Sequence, residues 1–110
     1  MRTLRLTLAA AALAALPACK PEKADPVELG RRAYAANCIA CHNPDPTRDG
    51  TVGPAIAGSA PELVRARVLH AEYPPGYKPK RDSHLMPAQP FLADDVENLA
   101  AYLGSLPAAR

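Results

Sequence analysis

The stretch "CIACH" places two thiols and an imidazole within five consecutive residues, Cys38 to His42. Thiol and imidazole groups at this spacing are compatible with three kinds of chemistry. The two thiols could cycle as a redox dithiol, they could supply half of a zinc site, or they could attach a haem covalently. The residues around the stretch distinguish these interpretations.

The first two interpretations lack residues that they need. A thioredoxin-like dithiol follows a strand and opens a helix, and no strand pattern precedes Cys38. A structural zinc site needs four ligands, and the further candidates, His70 and His84, are spaced unlike those of any compact Cys/His site. The haem interpretation explains all three residues, because Cys38 and Cys41 can bond to the two vinyl groups while His42 becomes an axial ligand of the iron.

A low-spin haem needs a second axial ligand, and the sequence offers few candidates. Met86 is the only methionine after the N-terminal segment, and it lies 44 residues beyond His42 in "LMP". Imidazole also binds iron, so His84 and His70 compete with it, His84 more seriously. We favour Met86, whose soft thioether sulfur stabilises Fe(II) and raises the reduction potential relative to two imidazoles.

The first residues have the pattern of an export signal. Arg2 and Arg5 precede an apolar run, residues 6–16, that is too short to span a bilayer. The next residues, "LPAC", resemble the lipobox of bacterial lipoproteins, which implies cleavage before Cys19 and lipidation of its thiol. Ordinary cleavage near Ala18 would instead leave a free thiol in an oxidising compartment.

These features divide the chain into three parts. We expect a lipoprotein-type signal peptide over residues 1–18, a charged tether over 19–25 and one domain over 26–106. The expected location is the periplasmic side of a bacterial membrane, with a lipid anchor at Cys19, or the soluble periplasm without it. Removal of the signal takes away two arginines and leaves 11 basic and 11 acidic side chains. This balance gives no electrostatic footprint for nucleic acid.

Three capping-box patterns predict the starts of three helices. In each pattern a glutamate follows a capping residue by three positions: Asp25 and Glu28, Ser59 and Glu62, Asp94 and Glu97. The first helix should run from Pro26 toward Cys38, and the second should end before Pro74. Apolar residues recur at helical spacing in the third. With no strand pattern and no internal repeat, the expected fold class is all-α.

Two loops join the predicted helices. Residues 43–58, "NPDPTRDGTVGPAIAG", contain three prolines and three glycines, which predicts an ordered loop without regular structure. Residues 73–90 are also rich in proline, which makes that loop stiff. The chain has five aromatic residues and no tryptophan, so in a domain of about 80 folded residues an apolar core alone would be marginal. A cofactor at the centre would complete it.

With these residues assembled, the chain resembles the small single-haem class I c-type cytochromes from Asp25 to Leu106. Gly30 and Tyr34 match the N-terminal helix of that family, and the C-terminal helix that crosses it is matched at Leu99 and Tyr102. The resemblance implies a cytochrome c fold, with three to four helices around one covalently bound haem c. It also implies a close approach of the two helices at Gly30.

The resemblance extends to the loop after the haem motif. "GPAIAG", which begins at Gly53, looks like the family's loop behind the proximal ligand. The Pro54 carbonyl would accept a hydrogen bond from the His42 Nδ1–H, and Ile56 would pack on the haem face. Propionate-binding residues cannot be carried over onto residues 73–90. Side chains there with phenol or cationic donors are candidates, although they could equally form a solvated basic loop: Tyr73, Tyr77, Lys78, Lys80 and Arg81.

The implied function is one-electron transfer between redox proteins, by a carrier that is not itself an enzyme. Two filled axial positions would leave no open site for a substrate. Partners would dock transiently at the haem edge of a monomer, and the basic side chains Lys78, Lys80 and Arg81 would favour an acidic partner surface. Other classes stay open: the cytochrome subunit of a periplasmic oxidoreductase such as a sulfur-compound dehydrogenase, a haem peroxidase, and a gas sensor with a vacant axial position.

Overall fold

The computed structural model describes residues 16–19 and 22–109, and helices supply the regular structure in this part of the chain. In chain order these are α1 (Pro26–Asn37), α2 (Pro61–His70), a 3-10 turn (Pro90–Leu92) and α3 (Val96–Ser105). No strand occurs within the described ranges, and the predicted all-α fold class is confirmed. Most of the predicted signal peptide, residues 1–15, lies outside the described residues.

Within residues 16–19 and 22–109, no helix has the length and apolar character needed to cross a membrane.

Helix α1 begins where the sequence predicts. The Asp25 carboxylate accepts a hydrogen bond from the Val27 N–H at 3.2 Å, and Pro26 occupies the first turn, where its missing N–H costs nothing. The capping box is nevertheless incomplete, because Glu28 turns to two arginines one helical turn ahead. Its oxygens lie 2.7 Å from Arg31 Nε and 2.9 Å from Arg32 Nε.

The other two capping boxes were wrong predictions. Helix α2 is preceded by Ala60, which has no capping side chain, because the Ser59 hydroxyl donates to the Ile56 carbonyl at 2.6 Å instead. Helix α3 has Asp95 rather than Asp94 at its N-cap. Glu97 accepts two hydrogen bonds from the Arg65 guanidinium, at 2.6 and 2.8 Å. This two-pronged charged pair links α3 to α2, and it competes successfully with a single backbone N–H.

Helices α1 and α3 cross in close contact at Gly30. A Cβ atom at this position would overlap the Asn98 carbonyl group and would lie 2.7 Å from the Tyr102 Cβ. Beside the crossing, Tyr34 and Leu99 are 2% and 1% exposed, and the Tyr34 and Tyr102 rings meet at 5.7 Å with a 58° tilt. The close approach that the resemblance implied is therefore present.

The apolar core is small and lies between the three helices and the 3-10 turn. Its buried members are Ala33, Tyr34, Val64, Val68, Leu92, Val96, Leu99, Ala100 and Leu103. Five partly buried residues pack against this cluster: Cys38, Ile56, Leu69, Met86 and Tyr102. The two sulfur-bearing residues of this second group belong to the predicted haem site.

The loop after α2 starts and finishes at the same end of that helix. Ala71 ends α2 in the left-handed region, with φ 56°, and the Arg67 guanidinium holds this turn by donating to the Ala71 carbonyl at 2.6 Å. After the loop, the Gln89 N–H donates to the Val68 carbonyl at 2.6 Å. Residues 72–88 therefore form a loop whose two ends both lie at the last turn of α2.

Candidate functional site

A cavity of about 240 Å³ opens beside the core, between the loops and helices α2 and α3. All seven residues predicted to bind the cofactor line it: Cys38, Cys41, His42, Gly53, Pro54, Ile56 and Met86. Cys19, the predicted lipidation site, is exposed and is not among the lining residues. The structure thus brings together residues that lie up to 48 positions apart in the chain.

The two cysteines and the histidine form one tight turn at the end of α1. The Cys38 N–H donates to the Tyr34 carbonyl at 2.9 Å, and the Cys38 carbonyl accepts from the His42 N–H at 2.9 Å. Burial raises the pKa of the Cys38 thiol to about 11. A redox dithiol requires the opposite change, because the thiolate is its reactive form.

A zinc site lacks its remaining ligands in the described structure. Within residues 16–19 and 22–109, no three side chains of His, Cys, Asp or Glu are grouped so that they could hold a metal ion. The two thiols and the imidazole of the turn are therefore not arranged as zinc ligands, and no further ligand joins them in this part of the chain.

The His42 ring is fixed by the loop that follows it. Its Nδ1 lies 2.9 Å from the Pro54 carbonyl oxygen, and because that oxygen can only accept, Nδ1 carries a proton. In the neutral ring, Nε2 then has the lone pair that a metal ion can bind. Gly53 lies against the ring. A Cβ at this position would lie 2.6 Å from Nδ1 and 2.8 Å from Nε2. The hydrogen bond that the resemblance implied is present, with a glycine where any side chain would collide with the imidazole.

The loop of residues 43–58 is held to the haem motif by its own backbone. The N–H groups of Val52 and Gly53 both donate to the Cys41 carbonyl, at 3.1 and 2.9 Å. Across the loop, the Asp49 carboxylate accepts from the Ala55 N–H at 2.8 Å. The loop is ordered by hydrogen bonds without regular structure, as its glycines and prolines predicted.

Tyr34 has a role that sequence reasoning missed. Its buried hydroxyl donates to the Asn43 carbonyl at 2.6 Å and so anchors the residue directly after His42. Burial raises the pKa of this phenol well above its usual range, which keeps the hydrogen-bond donor protonated. A tyrosine rather than a phenylalanine on the buried face of a helix is the signal that a partner is needed.

Met86 is the one candidate for the second axial position that lines the cavity. It is half-buried and packs against the core. His84 and His70 are exposed, and neither is among the residues that line the cavity. The thioether and the His42 imidazole therefore belong to the same site, whereas the two competing imidazoles lie outside it.

The propionate candidates separate into two groups. Tyr73, Tyr77, Lys80 and Arg81 line the cavity, whereas Lys78 does not. Tyr73 and Tyr77 stack at 5.4 Å with 7° between their planes, and the Arg67 guanidinium lies 4.2 Å from the centre of the Tyr73 ring. Arg67 also lines the cavity. No sequence pattern indicated this position, because an arginine on a surface helix usually keeps its guanidinium in water.

The cavity residues fit a covalently attached haem. Two thiols in one turn suit two thioether bonds, and an imidazole with a protonated Nδ1 and a free Nε2 suits an axial bond. Much of the remaining wall is apolar, including Val64, Val68, Leu99 and Leu103. The site and the helical frame together define an all-α haem-binding domain.

The comparison with known families agrees with this class of protein. The family model for cytochrome c matches residues 27–107, which is most of the chain, and the protein belongs to the cytochrome c family. It is therefore a haem-based electron-transfer protein, of a family whose members are generally carriers rather than enzymes and bind haem c covalently, usually one per small domain. No curated protein and no solved structure matches the chain.

Proposed function

We propose that this protein is a class I-type electron carrier on the periplasmic side of a bacterial membrane, with His42 and Met86 as the axial ligands of its haem. One observation carries the proposal: these two side chains line the same cavity, and the competing histidines do not. When bound, haem supplies one-electron redox chemistry at its iron.

Different residues of the chain hold the haem and set its reduction potential. Cys38 and Cys41 hold it covalently, so it cannot be lost to the surroundings. The Pro54 carbonyl, by accepting from His42, makes the imidazole a better donor. The Met86 thioether favours the reduced state. With both axial positions taken by side chains, the site suits a carrier better than a peroxidase or a gas sensor, which need an open or weakly held position.

Substitution of Met86 by alanine tests the ligand assignment. We expect the weak sulfur-to-iron charge-transfer band near the red edge of the oxidised spectrum to be present in the wild type and lost in Met86→Ala. The reduction potential should fall by roughly 0.1–0.3 V, within the range of about 0.8 V that axial ligands span. Absorption spectra and a redox titration of the purified holoproteins measure both.

His84→Ala is the matched control, because it removes the nearest competing ligand and should leave the band and the potential unchanged. A wild-type protein without the band, or a His84→Ala variant that alters it, would contradict Met86 ligation. Rapid peroxide turnover would then favour the peroxidase alternative, and CO binding by the reduced protein at neutral pH would favour the sensor.

The membrane attachment that we propose rests on the lipobox-like "LPAC" and on the free thiol that ordinary cleavage would leave in an oxidising compartment. Cleavage before Cys19 with lipidation of its thiol would anchor the domain through acyl chains, at about 0.8 kcal/mol per buried methylene. Mass spectrometry of the mature N-terminal peptide tests this directly. An unmodified N-terminus at or near Cys19 would favour a soluble periplasmic protein.

Redox partners should dock where the cavity opens. Val52 and Leu85 both line the cavity, yet they are 39% and 71% exposed, so they form an apolar rim of the kind that transient interfaces use. Lys78 adds positive charge on the loop that carries Leu85. We expect the electron-transfer rate with an acidic partner to fall as salt rises, because screening weakens the attraction. A rate independent of ionic strength in stopped-flow measurements would contradict this steering.

A further inference from the structure

Two cationic side chains connect the Met86 loop, residues 72–88, to the loop behind His42, residues 43–58. The Lys80 Nζ donates to the Ala55 carbonyl at 2.8 Å. The Arg81 guanidinium donates to the Val52 carbonyl at 2.6 Å, and a second nitrogen of the same group lies 3.6 Å from the Asp49 carboxylate. Both bonds cross from one loop to the other.

The carbonyls that accept these bonds lie on either side of the two residues that hold the His42 ring. Val52 and Ala55 flank Gly53 and Pro54, the glycine beneath the imidazole and the carbonyl that accepts from it. The Val52 N–H donates in turn to the Cys41 carbonyl at 3.1 Å. The Lys80 and Arg81 bonds therefore end on the backbone that fixes the haem motif.

Few hydrogen bonds hold the segment that carries Met86, although Met86 itself packs against the core. Among the described residues, positions 78–88 make no backbone-to-backbone hydrogen bond, and their side-chain hydrogen bonds are those of Lys80 and Arg81. Asp49 completes the connection, because its carboxylate faces Arg81 and also accepts from the Ala55 N–H at 2.8 Å. These contacts form a closed ring across the two loops.

We propose that Asp49, Lys80 and Arg81 are positioning residues, which brace the Met86 loop against the loop that supports His42. The brace would keep the two candidate axial ligands in one arrangement. It rests on the proposed function only in taking Met86 as a ligand. In the brace, Lys80 and Arg81 bind backbone carbonyls and not a haem propionate. Asp49 distinguishes these two roles, because its carboxylate can take part in the brace but cannot bind an anion such as a propionate.

The test compares Lys80→Ala and Arg81→Ala with Lys78→Ala, which removes the same charge from the same loop at a position outside the cavity. In each holoprotein, the sulfur-to-iron band and the far-UV helix signal are followed through a guanidinium titration. Hydrogen–deuterium exchange of residues 50–57 is measured in parallel. The variant Asp49→Ala removes the acidic part of the brace.

For the brace variants we expect the band to disappear at lower denaturant while the helix transition stays in place. The fraction of molecules without the band should rise by about threefold to tenfold at a fixed denaturant concentration, as expected for partly exposed charged hydrogen bonds. Exchange of residues 50–57 should rise although Lys80 and Arg81 lie on the other loop. Lys78→Ala should match the wild type, and Asp49→Ala should behave like the Lys80 and Arg81 variants.

Equal effects of Lys78→Ala and Lys80→Ala would overturn the brace, since charge alone would then explain them. It would also be overturned if Asp49→Ala left both readouts unchanged while the two cation variants altered the band. Absence of the band in the wild type would contradict Met86 ligation instead. Hydrogen exchange of residues 50–57, which does not depend on that ligand, would then decide the brace.

Discussion

Replacement of Gly30 by alanine is expected to lower the free energy of unfolding by about 3 kcal/mol or more. The added methyl group would overlap the Asn98 carbonyl group, which is backbone of α3 and cannot move aside as a side chain would. Alanine normally stabilises a helix by about 1 kcal/mol relative to glycine, so the collision reverses the usual sign. Guanidinium unfolding of the holoprotein, followed by far-UV circular dichroism, measures the change.

Gly104→Ala is a close control for this substitution. Gly104 is also helical and exposed, but a Cβ there would meet nothing within 4 Å. This variant should be more stable than the wild type by up to about 1 kcal/mol. If both variants gained stability, the close crossing of α1 and α3 would be contradicted.

Replacement of Gly53 by alanine should disturb His42 directly. The new Cβ would lie within 3 Å of both ring nitrogens, so the imidazole must tilt or the loop must withdraw, and either change strains the bond to the Pro54 carbonyl. Loss of such a support typically weakens a metal–ligand bond by roughly 10- to 100-fold. We expect the fraction of molecules that lose the His42–iron bond in denaturant to rise by about that factor.

The Soret band and the reduction potential of the Gly53→Ala holoprotein report this change, and Thr51→Ala serves as the control. Thr51 is an exposed neighbour in the same loop and does not line the cavity. An unchanged spectrum and potential in Gly53→Ala would mean that the ring is not held where the structure places it.

The helical frame was accessible from sequence where the signals are local. Asp25 and Pro26 set the start of α1 through contacts within one turn, and prediction and structure agree there. The pairing of Glu97 with Arg65 spans 32 positions in the chain, so a local pattern could not reveal that Glu97 was already engaged. The capping box of α3 failed because a tertiary partner engaged Glu97, whereas that of α2 failed because the Ser59 hydroxyl has a local partner, the Ile56 carbonyl.

In the cavity, too, the features that local sequence patterns predicted differ from those that depend on contacts between distant segments. "CIACH" and "GPAIAG" carry their chemistry in adjacent residues, and the His42 hydrogen bond to Pro54 was expected from the resemblance. The bonds from Tyr34 to Asn43 and from Lys80 to Ala55 depend on how separate segments approach one another. Arg67 likewise lines the cavity with its guanidinium over the Tyr73 ring, a contact between α2 and the loop that follows it. Such contacts require the assembled fold.

The hydrogen bond from the Gln89 N–H to the Val68 carbonyl separates the loop of residues 72–88 from the helices. The loop and the helices can therefore accept mutations at different rates. Since residues 72–88 leave and rejoin α2 at its last turn, changes in their length or composition need not displace the crossing of α1 and α3. The helices form a constant frame, and the segment that carries Met86 can be replaced without altering it. Variation within that segment gives this architecture a route to new redox properties and new partners, without redesign of the frame.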